Sequence, residues 1–113
     1  MKNWKKSILH IEKVVCSYYG LEPWELAQRT RKQDVLEPRQ VASLLMRATG
    51  VKLKYVMARY KQNHATIVNS VRRQQGYMAV MPDSAFRIRS ICERAGIDYD
   101  VVINYKIKTR DDY

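Results

Sequence analysis

Apolar residues recur along this chain at intervals of three and four, the spacing that gathers them on one face of an α-helix. Residues 5 to 19 put Ile8, Ile11, Val15 and Tyr18 on one stripe, widened by Val14 and Tyr19. A short helix is expected after Pro23, through Trp24, Glu25, Leu26 and Ala27, and it gives way to the polar run Gln28 to Asp34, read as a loop. From Pro38 to Thr49, Val41, Leu44, Leu45 and Ala48 fall at i, i+3, i+4 and i+7, which predicts a well-buried helix. Residues 52 to 60 align Leu53, Val56, Met57 and Tyr60, and residues 64 to 75 align Ile67, Val68 and Val71. Asp83 or Ser84 then caps a sixth helix whose stripe is Ile88, Ile91, Cys92 and Ala95.

Glycine and proline punctuate this pattern. Gly20, Gly50, Gly76 and Gly96 each follow a periodic segment, where a left-handed cap residue is wanted, and are read as helix ends. Pro23, Pro38 and Pro82 stand at or just before helix starts, where a missing N–H costs nothing. Tyr77 to Met81 reads as a short extended connection. The stretch Ile97 to Ile107 suits either a strand or a last helical turn with an extended tail.

Composition bounds the function. A chain of 113 residues, 46% of them hydrophobic, supports one folded core. No apolar run approaches the roughly 18 to 20 residues needed to span a bilayer, so no membrane role and a cytoplasmic location are expected. Cys16 and Cys92 lack C-x-x-C spacing and histidine partners, which predicts buried thiols, with no disulfide framework, metal or other cofactor. The two histidines, His10 and His64, are far apart, and no Ser or Cys has an evident base, so neither an enzyme nor a small-molecule substrate is expected.

Charge changes the picture. Against a net charge of +10, residues 29 to 75 hold Arg29, Arg31, Lys32, Arg39, Arg47, Lys52, Lys54, Arg59, Lys61, Arg72 and Arg73 but only Asp34 and Glu37. A basic field of this kind favours a polyanion, because each phosphate neutralised releases counterions. The aromatic runs and G-x-x-G loop of the common RNA modules are missing. The connection Lys61-Gln62-Asn63 is short enough to force the helices on either side into a steep crossing, as in a helix-turn-helix, whose second helix enters the DNA major groove.

The run Glu37-Pro38-Arg39-Gln40-Val41-Ala42-Ser43-Leu44-Leu45, then Leu53-Lys54-Tyr55-Val56, Arg59-Tyr60 and His64-Ala65-Thr66-Ile67-Val68-Asn69-Ser70, resembles the C-terminal DNA-binding domain of the bacterial replication initiator DnaA. Val14-Val15-Cys16-Ser17-Tyr18-Tyr19-Gly20-Leu21 and the basic residues 29 to 32 are similar to that family's first helix and basic loop, so the likeness spans residues 8 to 75. It implies an all-α, Trp-repressor-like bundle of five to six short helices that binds double-stranded DNA.

Carried across residue by residue, the resemblance implies base contacts from Gln62, Asn63, His64 and Thr66 in the major groove and from Arg31 in the minor groove. Arg29, Lys32, Arg39, Gln40, Lys52, Lys54 and Lys61 are the expected backbone contacts. Asn63 and Thr66 equally suit a helix cap, Gln40 could satisfy a neighbouring turn, and the cations could be a solvated face. Trp24, Tyr18, Tyr19 and Tyr60 are read as core. Departures from the family are Gln33 in place of a second arginine, Lys61 in a glycine position, and Gln62-Asn63-His64-Ala65-Thr66 where the family has Arg-Asp-His-Thr-Thr. Exchanging Asp for Asn shifts the preferred base from cytosine towards adenine. The chain has no G-x-x-x-x-G-K-[ST], so ATP-driven origin melting is not expected of it. The expectation is a stand-alone replication or transcription regulator, divided into a DNA-binding domain at 1–76 and an extension at 77–113 that packs on it or forms a homodimer. The alternative is a protein-interaction adaptor that keeps the fold without DNA.

Overall fold

In the computed structural model, which describes residues 3–28 and 33–107, helix α1 (Trp4–Tyr19) turns Ile8, Ile11, Val15 and Cys16 inward, as its stripe requires. Gly20 ends it at φ 75°, a left-handed conformation that only glycine adopts freely. Helix α2 (Pro23–Ala27) carries proline in its first turn, and Glu22 N donates to Glu25 Oε2 at 2.8 Å. Only Leu26 of this helix is buried, and Trp24, read as core, is 60% exposed: five residues make too few turns to bury a second large side chain.

Helix α3 (Gln33–Ala48) is the central element, packed against α1, α2, α4, α5 and α7. Val41, Ala42, Leu44, Leu45 and Met46 are buried on all sides, the mark of a helix surrounded by others. It begins five residues before the expected start, with Pro38 in its interior. That proline forfeits a bond to the Asp34 carbonyl. Tertiary anchoring offsets the loss: Val35 is in the core, and Glu37 accepts from Tyr19 Oη at 2.6 Å and lies 3.4 Å from Arg87 Nη1.

Helices α4 (Leu53–Tyr60) and α5 (His64–Val80) follow. Gly76 does not end α5, and Tyr77 to Met81 is no extended linker but the helix's last turn and its cap. The buried stripe runs on from Val71 through Gln74 to Met78, so packing holds the helix together while Gly76 sits on its exposed side. Pro82 opens α6 (Pro82–Ala95), with Met81 rather than Asp83 or Ser84 at the cap position; Ser84 is buried instead.

Helix α7 (Tyr99–Ile103) resolves the ambiguity of the C-terminal stretch: Asp98 Oδ1 caps it by accepting from Asp100 N at 2.9 Å, and Val102 enters the core. The tail is held against α5 by Gln75 Nε2, which donates to Val102 O at 3.0 Å and Tyr105 O at 2.7 Å. Ile88, Ile91, Cys92 and Val102 belong to the same cluster as Val15 and Leu44, so the expected boundary at 76/77 falls inside one helix and one core. Of the apolar residues beyond Gly76, Met78, Ile88, Ile91, Cys92 and Val102 are used within this core, whereas Val80, Met81, Phe86 and Val101 are exposed. The described residues contain helices and no strand.

Both cysteines are buried and free. Burial pushes the Cys16 thiol from 9.0 to about 12 and that of Cys92 to about 11, and it raises Tyr60 well above its usual 10.0. The folded protein therefore keeps protons that the unfolded chain has released, and the associated stabilisation, whole below about pH 9, is lost as pH rises past 9 and 10. Urea midpoints are expected to fall steeply above about pH 9.5; a level midpoint through about pH 11 would contradict the burial of these groups.

Candidate nucleic-acid interface

An ion pair between a buried carboxylate and a half-buried guanidinium ties the helix-turn-helix to α1. Glu12 of α1, fully enclosed, accepts from Arg59 Nε at 2.8 Å, Arg59 Nη2 at 2.7 Å and Tyr60 Oη at 2.7 Å. The bond to Glu12 holds the Arg59 guanidinium above its ordinary pKa. Two neighbouring residues of α4 are thereby fixed to α1, and α4 fixes the turn that follows.

That turn is tight. Lys61 closes α4 in the left-handed region, at φ 51° and ψ 47°, the one non-glycine among the described residues with positive φ. Keeping lysine here costs backbone strain that glycine would avoid. Gln62 is half-buried, with its Oε1 enclosed and without a partner among the described residues, so its acceptor is not offered outward. Asn63 is extended, and its Oδ1 accepts from Thr66 N at 2.8 Å, the N-cap geometry. His64, half-buried, opens α5, and Thr66 is exposed.

Beyond them α5 divides cleanly. Ile67, Val68, Ser70, Val71, Gln74 and Met78 face inward, whereas Ala65, Thr66, Asn69, Arg72 and Arg73 face solvent. The helix contains no acidic residue, and its N-terminal N–H groups carry the positive end of the dipole. Asn69, Arg72 and Arg73 are not among the contacts expected from the sequence, where the two arginines figure only in the basic field. Their signal was there, since all three fall out of phase with the Ile67–Val68–Val71 stripe.

The backbone-contact candidates separate. Lys52, Lys54 and Lys61 are exposed, the first two at the start of α4 and the third at its end. Arg39 is not at the surface: it is 5% exposed, with Nε donating to Leu26 O at 2.8 Å and Nη2 to Gln28 O at 2.6 Å. Burial lowers its pKa. A helix starting at Pro38 would have put Arg39 in its first turn; because α3 starts at Gln33, Arg39 lies in the second turn, beneath the end of α2. Gln40 is likewise engaged internally, its Oε1 accepting from Gln74 Nε2 at 2.8 Å. Arg29, Arg31 and Lys32 lie outside the described residues.

Residues 8–73, more than half of the chain, match the family model for the bacterial DnaA protein helix-turn-helix. The chain belongs to that family. The chromosomal replication initiator protein DnaA of Desulfatibacillum aliphaticivorans is 39% identical over 62 residues, which are 54% of this chain and 14% of that protein. The chain thus aligns with only a small part of that DnaA. No solved structure matches at comparable stringency. The DnaA-type segment takes in α1 from Ile8 onward, α2 to α4 and the first ten residues of α5, while α6 and α7 lie beyond it. None of the described helices is long and apolar enough to cross a membrane.

Proposed function

We propose that this DnaA-type helix-turn-helix binds double-stranded DNA in a sequence-specific manner and thereby regulates replication or transcription. The N-terminal half of α5 enters the major groove, His64 and Thr66 meet base edges, and the basic residues Arg29, Arg31 and Lys32 lie at the minor groove or backbone. Lys52, Lys54 and Lys61 hold phosphates, joined by Arg72 and Arg73. The observation that carries this reading is the outer face of the first half of α5, which presents Thr66, Asn69, Arg72 and Arg73 beside the small Ala65, is free of acids, and begins at a capped N-terminus.

Selection from randomised duplexes, followed by fluorescence anisotropy on the selected site and on a scrambled one, tests it. The expected affinity is steeply salt-dependent, log K falling by about 0.9 for each phosphate neutralised per tenfold rise in salt. His64→Ala should cost about 1–3 kcal/mol on the selected duplex and little on the scrambled one. Equal losses on both would remove His64 from base reading. Absence of any salt-sensitive duplex binding would overturn the proposal in favour of a protein-interaction adaptor.

A further inference from the structure

We infer that Asn69 is the adenine-reading residue of α5 and that Asn63 serves the helix as its cap. The inference rests on the DNA-binding reading above and assigns one determinant of its specificity. An asparagine recognises adenine by using both ends of its amide at once, the nitrogen donating to N7 and the oxygen accepting from the N6 amino group. Asn63 cannot offer that pair while its Oδ1 is bound to Thr66 N at 2.8 Å.

Asn69 is exposed, and its side chain makes no hydrogen bond among the described residues, so both ends of the amide are available. It lies three residues beyond Thr66, about 4.5 Å further along the axis. Counting from the first residue of α5, Thr66 and Asn69 occupy positions 3 and 6, two of the positions from which another helix class that enters the major groove at an angle meets successive bases. Ala65, exposed one turn back on the same side, has no bulk to hold the helix away from the base edges. Arg72 and Arg73, one turn on, supply cations where the groove walls would stand. Asparagine is also a poor choice for an exposed helix interior, where alanine would stabilise the helix more. Nothing Asn69 does within the fold compensates for that cost.

Duplex selection with the wild-type chain, Asn69→Ala and Asn63→Ser tests the assignment, with melting midpoints recorded to establish that each variant is folded. The wild type is expected to select adenine at one position. Asn69→Ala should erase that preference, weakening the selected duplex roughly 10- to 100-fold while leaving scrambled duplex unchanged. Asn63→Ser, which retains a capping oxygen, should still select adenine there. If Asn69→Ala keeps the adenine preference, or Asn63→Ser alone loses it, the inference fails although the protein binds DNA. If the wild type enriches no duplex, the DNA-binding reading itself has failed, and this assignment with it.

Discussion

Replacing Glu12 by alanine is expected to destabilise the protein by about 3 kcal/mol, lowering Tm by roughly 10–20 °C. The carboxylate is fully enclosed and receives three hydrogen bonds, two from Arg59 and one from Tyr60. Its removal leaves the Tyr60 hydroxyl buried without an acceptor and the guanidinium without a counter-charge, and between α4 and α1 it leaves packing such as the Trp4–Tyr55 stack, without this polar link. The figure lies at the lower end of the range for broken buried pairs because the Arg59 side chain is 32% exposed and can turn to water. Glu12→Gln preserves the shape and one acceptor for Tyr60, so a loss of about 2 kcal/mol is expected. Urea denaturation of the two variants checks the order. A loss below about 1 kcal/mol for Glu12→Ala would mean that Arg59 and Tyr60 find other partners at no cost.

Arg39→Ala is expected to cost about 2–3 kcal/mol, since two backbone carbonyls lose a charged donor. Those carbonyls belong to Leu26 and Gln28, and Gln28 is the last residue before the basic segment 29–32. Arg39 is thus a positioning residue, placing the entry to that segment from beneath. Under the proposed function, affinity for duplex DNA should fall about tenfold, equivalent to about 1.4 kcal/mol, on selected and scrambled sequences alike. Arg39→Lys distinguishes this role from a phosphate contact. A single ammonium cannot reproduce the fork that reaches both carbonyls, so lysine should restore neither stability nor affinity. Recovery of affinity in Arg39→Lys at low salt would place Arg39 on a phosphate after all.

Most elements were legible because their stripes are strong. The expected helix over residues 52 to 60 matches α4 to within one residue, and Gly20, Gly50 and Gly96 take the positive φ expected of them. Failures occurred where packing overrode a local signal. Pro38 and Gly76 are breakers in isolation, yet Val35 on one side and Gln74 with Met78 on the other are buried firmly enough to carry the helices through. The candidate site could be marked as a segment but not side chain by side chain. Charge and spacing pointed to 29 to 75, whereas the inward turn of Arg39 depends on how α2 crosses α3, a relation absent from local pattern. Glu12 did leave a trace: Ile8, Glu12 and Cys16 succeed one another at intervals of four, which puts an acid in line with two buried neighbours. Its counter-charge lies 47 residues away, beyond the reach of periodicity.

The passage of α5 through Gly76 into the shared core has a consequence for anyone wishing to transplant the recognition unit. Excising 8–73 as a portable cassette would cut α5 in mid-course and discard Gln74, Met78, Ile88, Ile91 and Val102, uncovering the oily surfaces of α1 and α3 that the lost end of α5, α6 and α7 shield. The stretch inherited in common with DnaA and the stretch that folds cooperatively are therefore different lengths of chain, and a graft must carry the additional helices to survive outside its host.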